Sequence, residues 1–248
     1  MQSISKLFTL SAFSLLFIVL PNLQAGSRPV FDNSPVSKVT SLNRIDDHII
    51  EKADLLYDSL NLGGMGLSQE AFEYAYKGYM YLVKKGLIEK TGIITICDFS
   101  QSSRKKRLYL VDIESREVLM NTYVAHGRNS GGEFANSFSN NPRSHKSSLG
   151  FYITSNTYNG GHGLSLRIKG VEKGINDRAS QRNIVVHGSD YVGENYLQTG
   201  NFMGRSFGCP AVPQQKTKEL IELIKDGTCF FIYHPSKNYI ASSKIING

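Results

Sequence analysis

Hydrophobic and polar positions divide the chain into a helical stretch and a longer, strand-rich stretch. Between Ile45 and Leu60 the apolar residues recur at helical spacing, which predicts an α-helix. A second helix is predicted after Ser68, which suits an N-cap, with Glu70 favourably placed in the first turn and Gly86 beyond the last. Its stripe of aromatic and apolar side chains is typical of a helix face packed on a core.

From Lys90 onward, short segments rich in Ile, Val, Leu and Tyr predict β-strands. A further helix is predicted from Pro213, which suits a first turn, to Gly227, which suits a C-terminal cap. Strands outnumber helices and leave little room for crossover helices. The pattern therefore predicts a mainly β domain with peripheral helices (α+β), largely antiparallel and β-sandwich-like. The predicted strands are "IITICDF", "KRLYLVDI", "EVLMNTYVA", "SLGFYITSN", "RNIVVH" and "TCFFIYH".

Two segments between the predicted strands are polar and rich in glycine. Residues 126–148, "HGRNSGGEFANSFSNNPRSHKSS", form a longer stretch than most structureless loops in compact domains. Two interpretations stay open for it, a binding lid and a free surface loop. The glycines of "NTYNGGHGLSLRIKG" would allow the backbone to approach a ligand closely.

The N-terminus has the layout of a secretory signal peptide. Lys6 precedes an apolar run over residues 7–20, Pro21 follows, and small residues at Ala25 and Gly26 suit a cleavage site. A membrane anchor is the alternative, but the run is shorter than the about 20 residues that a span needs. We expect an exported protein with no stable membrane span after cleavage. The predicted organisation is a signal peptide (1–25), a linker (26–43), a helical segment (44–90) and the strand-rich domain (91–248).

The net charge of +7 favours an anionic partner, such as nucleic acid, a membrane surface or a cell-wall polymer. The longest basic run is "RKKR" at residues 104–107, at the start of a predicted strand. We interpret this run as a solvated strand end and expect no nucleic-acid partner.

The chain has three cysteines, an odd number for an exported protein in which thiols tend to pair. Cys97 and Cys229 both lie in predicted strands. A disulfide between them and two independent buried thiols are both compatible with the sequence. Either arrangement leaves Cys209 free.

Cys209 lies in "GRSFGCPAVP", a predicted tight turn. A nucleophilic thiol needs a base and backbone N–H donors for the charge that develops on the attacked carbonyl. Among the six histidines, His187 ends the apolar strand "NIVVHG", so it and Cys209 both lie where regular structure stops. His126, in "VAHG", is the rival base.

The segment "HGSDYVGENYLQTGNFMGRSFGC" resembles the signature of L,D-transpeptidase (YkuD-type) catalytic domains. That signature is a His-Gly pair, a spacer and Ser/Thr-X-Gly-Cys. Further segments, including "GGHGLSLRIKG" and "VVHGSDYV", resemble the murein L,D-transpeptidase branch, and the resemblance runs from about Leu67 to about Tyr233. The matching residues of this chain are His187, Gly188, Ser206, Gly208 and Cys209.

The resemblance implies that residues 91–248 are the catalytic domain of a cysteine L,D-transpeptidase of the periplasm or cell envelope. The Cys209 thiolate would attack a peptidoglycan stem peptide before its terminal D-alanine, with His187 moving the protons. An amine of a second stem peptide would resolve the thioester and form a 3–3 cross-link. In the family a backbone carbonyl commonly orients the histidine, and the reaction needs no metal or cofactor.

The chain departs from the family pattern on both sides of the cysteine. Phe207 and Ala211 stand where the family has a histidine and an arginine. Arg205 is the candidate replacement for that arginine, an ordinary surface arginine being the alternative, and His126 is a second substrate-binding candidate. Because Pro210 has no N–H, we expect the oxyanion donors to be Gly208 and Cys209, with Ser206 and Gly188 in support.

Three other functions remain compatible with the sequence. Water in place of the amine would make the same site an L,D-carboxypeptidase or a related cysteine hydrolase. A non-catalytic cell-wall binding module would keep Cys209 as a structural residue. A zinc peptidase would use several histidines, but no "HExxH" or similar ligand spacing supports it.

Overall fold

The computed structural model describes residues 36–200 and 202–248, with side chains described from residue 47 onward. The predicted signal peptide and the first part of the predicted linker lie outside the described residues. No helix in the described part of the chain is long and apolar enough to cross a membrane.

In the part of the chain that the structure describes, two helices precede the sheet and pack on each other. Helix α1 covers Val36–Ser59 and therefore begins inside the stretch 26–43 interpreted as a linker. Helix α2 covers Gln69–Lys84, and Ser68 caps it by accepting a hydrogen bond from the Ala71 amide at 3.2 Å, as its sequence predicts. The buried face of α2 packs on the centre of the sheet.

Within the described residues, eight strands hydrogen-bond into one mixed sheet in the order β3-β2-β1-β8-β4-β5-β6-β7. The pairs β1–β8 and β6–β7 are parallel and the other five are antiparallel. The predicted fold class, mainly β with peripheral helices, is confirmed. The strands are β1 (Ile93–Asp98), β2 (Leu108–Asp112), β3 (Glu117–Thr122), β4 (Gly150–Gly160), β5 (Gly163–Gly170), β6 (Val185–Ser189), β7 (Ala211–Pro213) and β8 (Cys229–Tyr233).

The sequence pattern misses two of these strands. Strand β5 lies within the glycine-rich segment, where Gly163 and Gly170 mark its two ends. Strand β7 has three residues, too few to show any periodicity. Both strands pair with β6 and so lie beside the candidate site.

Three short helices follow β6. Helix α3 covers Glu194–Thr199, α4 covers Gln214–Ile224 and α5 covers Lys237–Ser242. Helix α4 is the one that the sequence predicts, although Pro213 stands just before it as the N-cap. Its buried face packs against β5, β6 and β7.

Cys97 and Cys229 are buried free thiols, so the alternative in which they form a disulfide is wrong. Strands β1 and β8 are parallel, with Ile94 opposite Cys229. Cys97 lies three residues further along β1, where its side chain points to the opposite face of the sheet. The two thiols therefore lie beyond the reach of a disulfide bond.

Candidate active site

The Cys209 thiol lies in the turn that leads into β7, half-buried and next to the start of β6. Its sulfur accepts a hydrogen bond from the Val185 amide at 3.5 Å, and the thiol donates to the Asn183 carbonyl at 3.6 Å. Burial raises the pKa of Cys209, whereas the Val185 amide, the Arg182 charge and the amide of Cys209 itself oppose that shift. The resting sulfur is therefore a protonated thiol with several groups ready to stabilise its anion.

The His187 imidazole is held in the neutral form with a defined tautomer. Its Nδ1 lies 2.9 Å from the Gly188 carbonyl, which can only accept, so Nδ1 carries the proton and Nε2 is the free basic nitrogen. Burial lowers the pKa of His187, the bond to Gly188 opposes this, and the charge of His162 adds to it. The ring is 2% exposed and suited to accept a proton.

The sheet places the cysteine turn beside the strand that carries His187. His187 pairs with Ala211 in the parallel β6–β7 ladder, two residues beyond Cys209. The sulfur contacts Val185, two residues before His187. The two groups therefore lie on adjacent chain segments at one end of the sheet order.

Ser206 stabilises the turn that carries Cys209 through two hydrogen bonds. Its hydroxyl donates to the Cys209 carbonyl at 2.6 Å and accepts from the Gly208 amide at 3.0 Å. The expected oxyanion donor Gly208 is thus engaged within the turn, and the other member of the expected pair is the Cys209 amide, which stabilises the thiolate of its own side chain. Gly208 has φ +124, and a Cβ there would lie 2.7 Å from the Lys146 carbonyl, so only glycine fits.

The segment 126–148 is packed against this turn and is not a free surface loop. The Ser206 amide donates to the His126 carbonyl at 3.0 Å, and the Arg128 amide donates to the Ser206 carbonyl at 2.7 Å. Ser147 accepts from the Gly127 amide at 3.0 Å and donates to the Gly208 carbonyl at 3.1 Å. The segment is therefore a fixed support for the cysteine turn.

The two substrate-binding candidates lie in different environments. The His126 ring is 1% exposed, and its Nδ1 accepts from Arg107 at 2.8 Å. Burial and the Arg107 charge lower the pKa of His126 to about 3. This enclosed imidazole has no surface from which to contact a substrate, and it contributes to the site through its backbone. Arg205 is exposed and donates to the Gly131 carbonyl at 3.0 Å, a contact with the supporting segment.

The sequence did not predict the positions of two side chains at the site. The His162 ring stacks on the His187 ring, with 4.2 Å between centroids and 17° between planes. It lies at the tip of the β4–β5 hairpin, which the sequence showed only as a run of glycines. Arg182 is the arginine beside the sulfur, and nothing in the sequence around it indicates this position.

The described residues contain no group of three His, Cys, Asp or Glu side chains placed to hold a metal ion.

The sequence matches the family model of the L,D-transpeptidase catalytic domain over residues 64–233. No curated protein is similar enough to be matched by sequence. The solved structures that this chain matches include an L,D-transpeptidase from Mycobacterium smegmatis, with 9% sequence identity and a TM-score of 0.37 over 58% of this chain and 59% of that chain. Another is an L,D-transpeptidase from Enterococcus faecium, with 13% sequence identity and a TM-score of 0.36 over 57% of this chain and 50% of that chain. A third is the helical cell shape determining protein Pgp2 from Campylobacter jejuni, with 14% sequence identity and a TM-score of 0.39 over 69% of this chain and 62% of that chain. The chain spans less than two thirds of each of these chains.

Proposed function

The chain belongs to the L,D-transpeptidase catalytic-domain family, and on that premise we propose that it is an exported cysteine L,D-transpeptidase of peptidoglycan stem peptides. Cys209 is the proposed nucleophile and His187 the proposed base. The observation that carries the proposal is the Nδ1 contact of His187 with the Gly188 carbonyl at 2.9 Å. This contact leaves Nε2 basic on the strand beside the cysteine turn.

In the first half-reaction, Nε2 of His187 accepts the thiol proton while the sulfur attacks the carbonyl carbon before the terminal D-alanine. The carbon–nitrogen bond then breaks, and the His187 imidazolium returns its proton to the departing amine. The product is a thioester between Cys209 and the third residue of the stem. D-alanine leaves as the free amino acid.

In the second half-reaction, His187 accepts a proton from the amine of a second stem peptide, which attacks the thioester carbonyl. The carbon–sulfur bond breaks, and the sulfur recovers a proton from His187. The new amide is a 3–3 cross-link. With water in place of the amine, the same steps release a tripeptide, and the site acts as an L,D-carboxypeptidase.

The charges around the sulfur favour this chemistry. The Val185 amide, the Arg182 charge and the Cys209 amide all stabilise the thiolate relative to the thiol. The neutral thiol and the neutral imidazole imply that the thiolate forms during the attack, when the proton passes to His187. The Cys209 amide is also the proposed donor for the oxyanion.

Incubation of the chain with a purified disaccharide-tetrapeptide, with product masses read by mass spectrometry, tests the proposal. A dimer lacking one alanine is expected, and a tripeptide alone would indicate the carboxypeptidase. Cys209→Ala should abolish both products while its thermal melting stays near that of the parent. A carbapenem should add one adduct to the parent and none to the variant. Turnover by Cys209→Ala, or no product from the parent, contradicts the proposal and favours a binding module.

Export to the periplasm or cell envelope is part of the same proposal and has its own test. It rests on the apolar run over residues 7–20 and the small residues that follow it. Mature protein recovered from the envelope fraction should begin just after Ala25. Full-length protein confined to the cytoplasm would contradict it.

A further inference from the structure

An open pocket of about 330 Å³ lies beside the cysteine turn. One wall comes from the supporting segment 126–148, and the other comes from residues that precede β6. Phe207, which is 63% exposed, lies between them. The side chains used below are Arg143, His145, Arg182, Asn183 and Phe207.

The pocket borders the nucleophile directly. Asn183, a lining residue, accepts the thiol hydrogen bond of Cys209 at 3.6 Å. A Cβ on Gly208 would lie 3.2 Å from the Arg182 guanidinium. A peptide whose reacting carbonyl is at the sulfur would therefore have neighbouring groups within reach of this pocket.

The charge of the pocket is positive. It is lined by two arginines and by no aspartate or glutamate. The terminal nitrogens of Arg182 donate to neutral oxygens, the Ser139 and Lys146 carbonyls and the Ser148 and Ser144 hydroxyls. Because no carboxylate neutralises Arg182, its charge contributes to a field that attracts anions.

Arg143 supplies donors that are still free. Its side chain is exposed, and within residues 47–200 and 202–248 its guanidinium makes no hydrogen bond or ion pair. Its backbone has φ +58, and that of His145 has φ +53, a region that side chains seldom adopt. Asn129 stabilises this strained backbone through two hydrogen bonds. Its backbone amide donates to the His145 carbonyl at 3.1 Å, and its side-chain amide donates to the Ser144 carbonyl at 2.9 Å.

Phe207 gives the pocket an apolar wall. Its ring lies 4.7 Å from the His145 ring and 4.7 Å from the Arg128 guanidinium. An exposed aromatic ring among cations suits a ligand that combines aliphatic carbons with a carboxylate.

We propose that this pocket is a carboxylate subsite for the donor stem peptide, with the Arg143 guanidinium as the group that binds the carboxylate. The inference rests on the proposed function and deepens it. A planar guanidinium can bind a carboxylate through two parallel hydrogen bonds. The stem peptide whose bond is attacked carries one carboxylate on its terminal D-alanine. A diaminopimelate as its third residue would carry a second carboxylate on its side chain.

Binding to the catalytically silent Cys209→Ala chain tests the subsite independently of turnover. Titration calorimetry would compare the tetrapeptide with two analogues, one amidated at D-alanine and one amidated at diaminopimelate. Arg143→Gln in this background should weaken tetrapeptide binding about 10-fold, the loss expected for a charged hydrogen bond. One amidated analogue should bind the Cys209→Ala chain more weakly than the tetrapeptide does, and Arg143→Gln should not weaken its binding further. The carboxylate that is amidated in this analogue is the one that Arg143 binds.

A matched control removes one positive charge elsewhere. Lys218 is exposed on α4, so Lys218→Gln should leave the affinity for all three peptides unchanged. If Arg143→Gln and Lys218→Gln bind each of the three peptides with equal affinity, the proposal of a carboxylate subsite is wrong.

Turnover separates the two proposals. With active protein, Arg143→Gln should raise KM for the tetrapeptide about 10-fold and leave kcat and the carbapenem adduct unchanged. An unchanged KM in a chain that still forms product refutes the subsite alone. An absence of product from the parent chain refutes the proposed function instead.

Discussion

At the scale of single residues, the cysteine turn depends on one hydroxyl. Ser206 joins the Gly208 amide to the Cys209 carbonyl through bonds of 3.0 and 2.6 Å. In the same turn, burial raises the pKa of the Cys209 thiol and the amide of Cys209 itself opposes that shift. The shape of this turn therefore sets the position of the proposed nucleophile and of its proposed oxyanion donor.

Ser206→Ala should slow acylation of Cys209 by a carbapenem about 10- to 100-fold, because it leaves two backbone groups without their partner, at about 1–3 kcal/mol each. The rate of adduct formation, followed by intact-protein mass spectrometry, is the measurement. Ser206→Thr keeps the hydroxyl and should retain most of the rate. An alanine variant that acylates as fast as the parent would show that the turn keeps its shape without Ser206.

At the scale of elements, the β4–β5 hairpin places a second imidazole over His187, the proposed base. Its tip carries His162, whose exposed ring covers the His187 ring at 4.2 Å. Burial and the His162 charge both lower the pKa of His187. The hairpin therefore helps to keep His187, the proposed base, in its neutral form.

His162→Ala should move the acid limb of the pH profile of kcat/KM to higher pH. The variant exposes His187 to water and removes a neighbouring positive charge, and both changes raise the pKa of His187 towards its ordinary value. Activity then falls earlier on acidification, because the base is protonated at a higher pH. His162→Phe keeps a stacked ring without the charge and should shift the limb less. If the parent, His162→Ala and His162→Phe show the same acid limb in the pH profile of kcat/KM, His162 does not lower the pKa of His187.

At the scale of the whole molecule, the C-terminal segment is tied to the sheet through a buried carboxylate. Glu172 accepts hydrogen bonds from the Phe151 amide at 2.7 Å, from Tyr239 at 3.1 Å and from Ser243. Tyr239 and Ser243 lie beyond the family match, which ends at residue 233. Burial raises the pKa of Glu172 despite these three donors.

Glu172→Gln should change the pH dependence of the free energy of unfolding. Because the pKa of Glu172 is higher in the folded state, its contribution to stability is present below the ordinary glutamate pKa of about 4.3 and is lost as pH rises through the folded value. The parent should therefore lose stability relative to the neutral glutamine variant as pH rises. Urea unfolding at several pH values measures the difference. A constant difference, or one of opposite sign, would refute the assignment.

Local patterns in the chain were enough to predict the helix cap at Ser68, most of the strands and the pair of residues proposed for catalysis. Each of these depends on neighbours within a few positions, such as a cap three residues from its partner or an apolar strand that ends in His-Gly. The pattern missed β5 because its glycines obscured the strand signal. It could not decide between a disulfide and two thiols, because that depends on the register of β1 against β8.

The amino-acid sequence alone determined the fold class, the family and the two groups proposed to exchange a proton, since all of these are carried by local pattern and motif. Only the tertiary structure decided what surrounds them. It enclosed His126, stacked His162 on His187, placed the Arg182 charge near the sulfur and placed Arg143 in the adjoining pocket. The physical reason is that these contacts join residues far apart in the chain, and only the packing of one sheet edge against a long folded segment sets their distances.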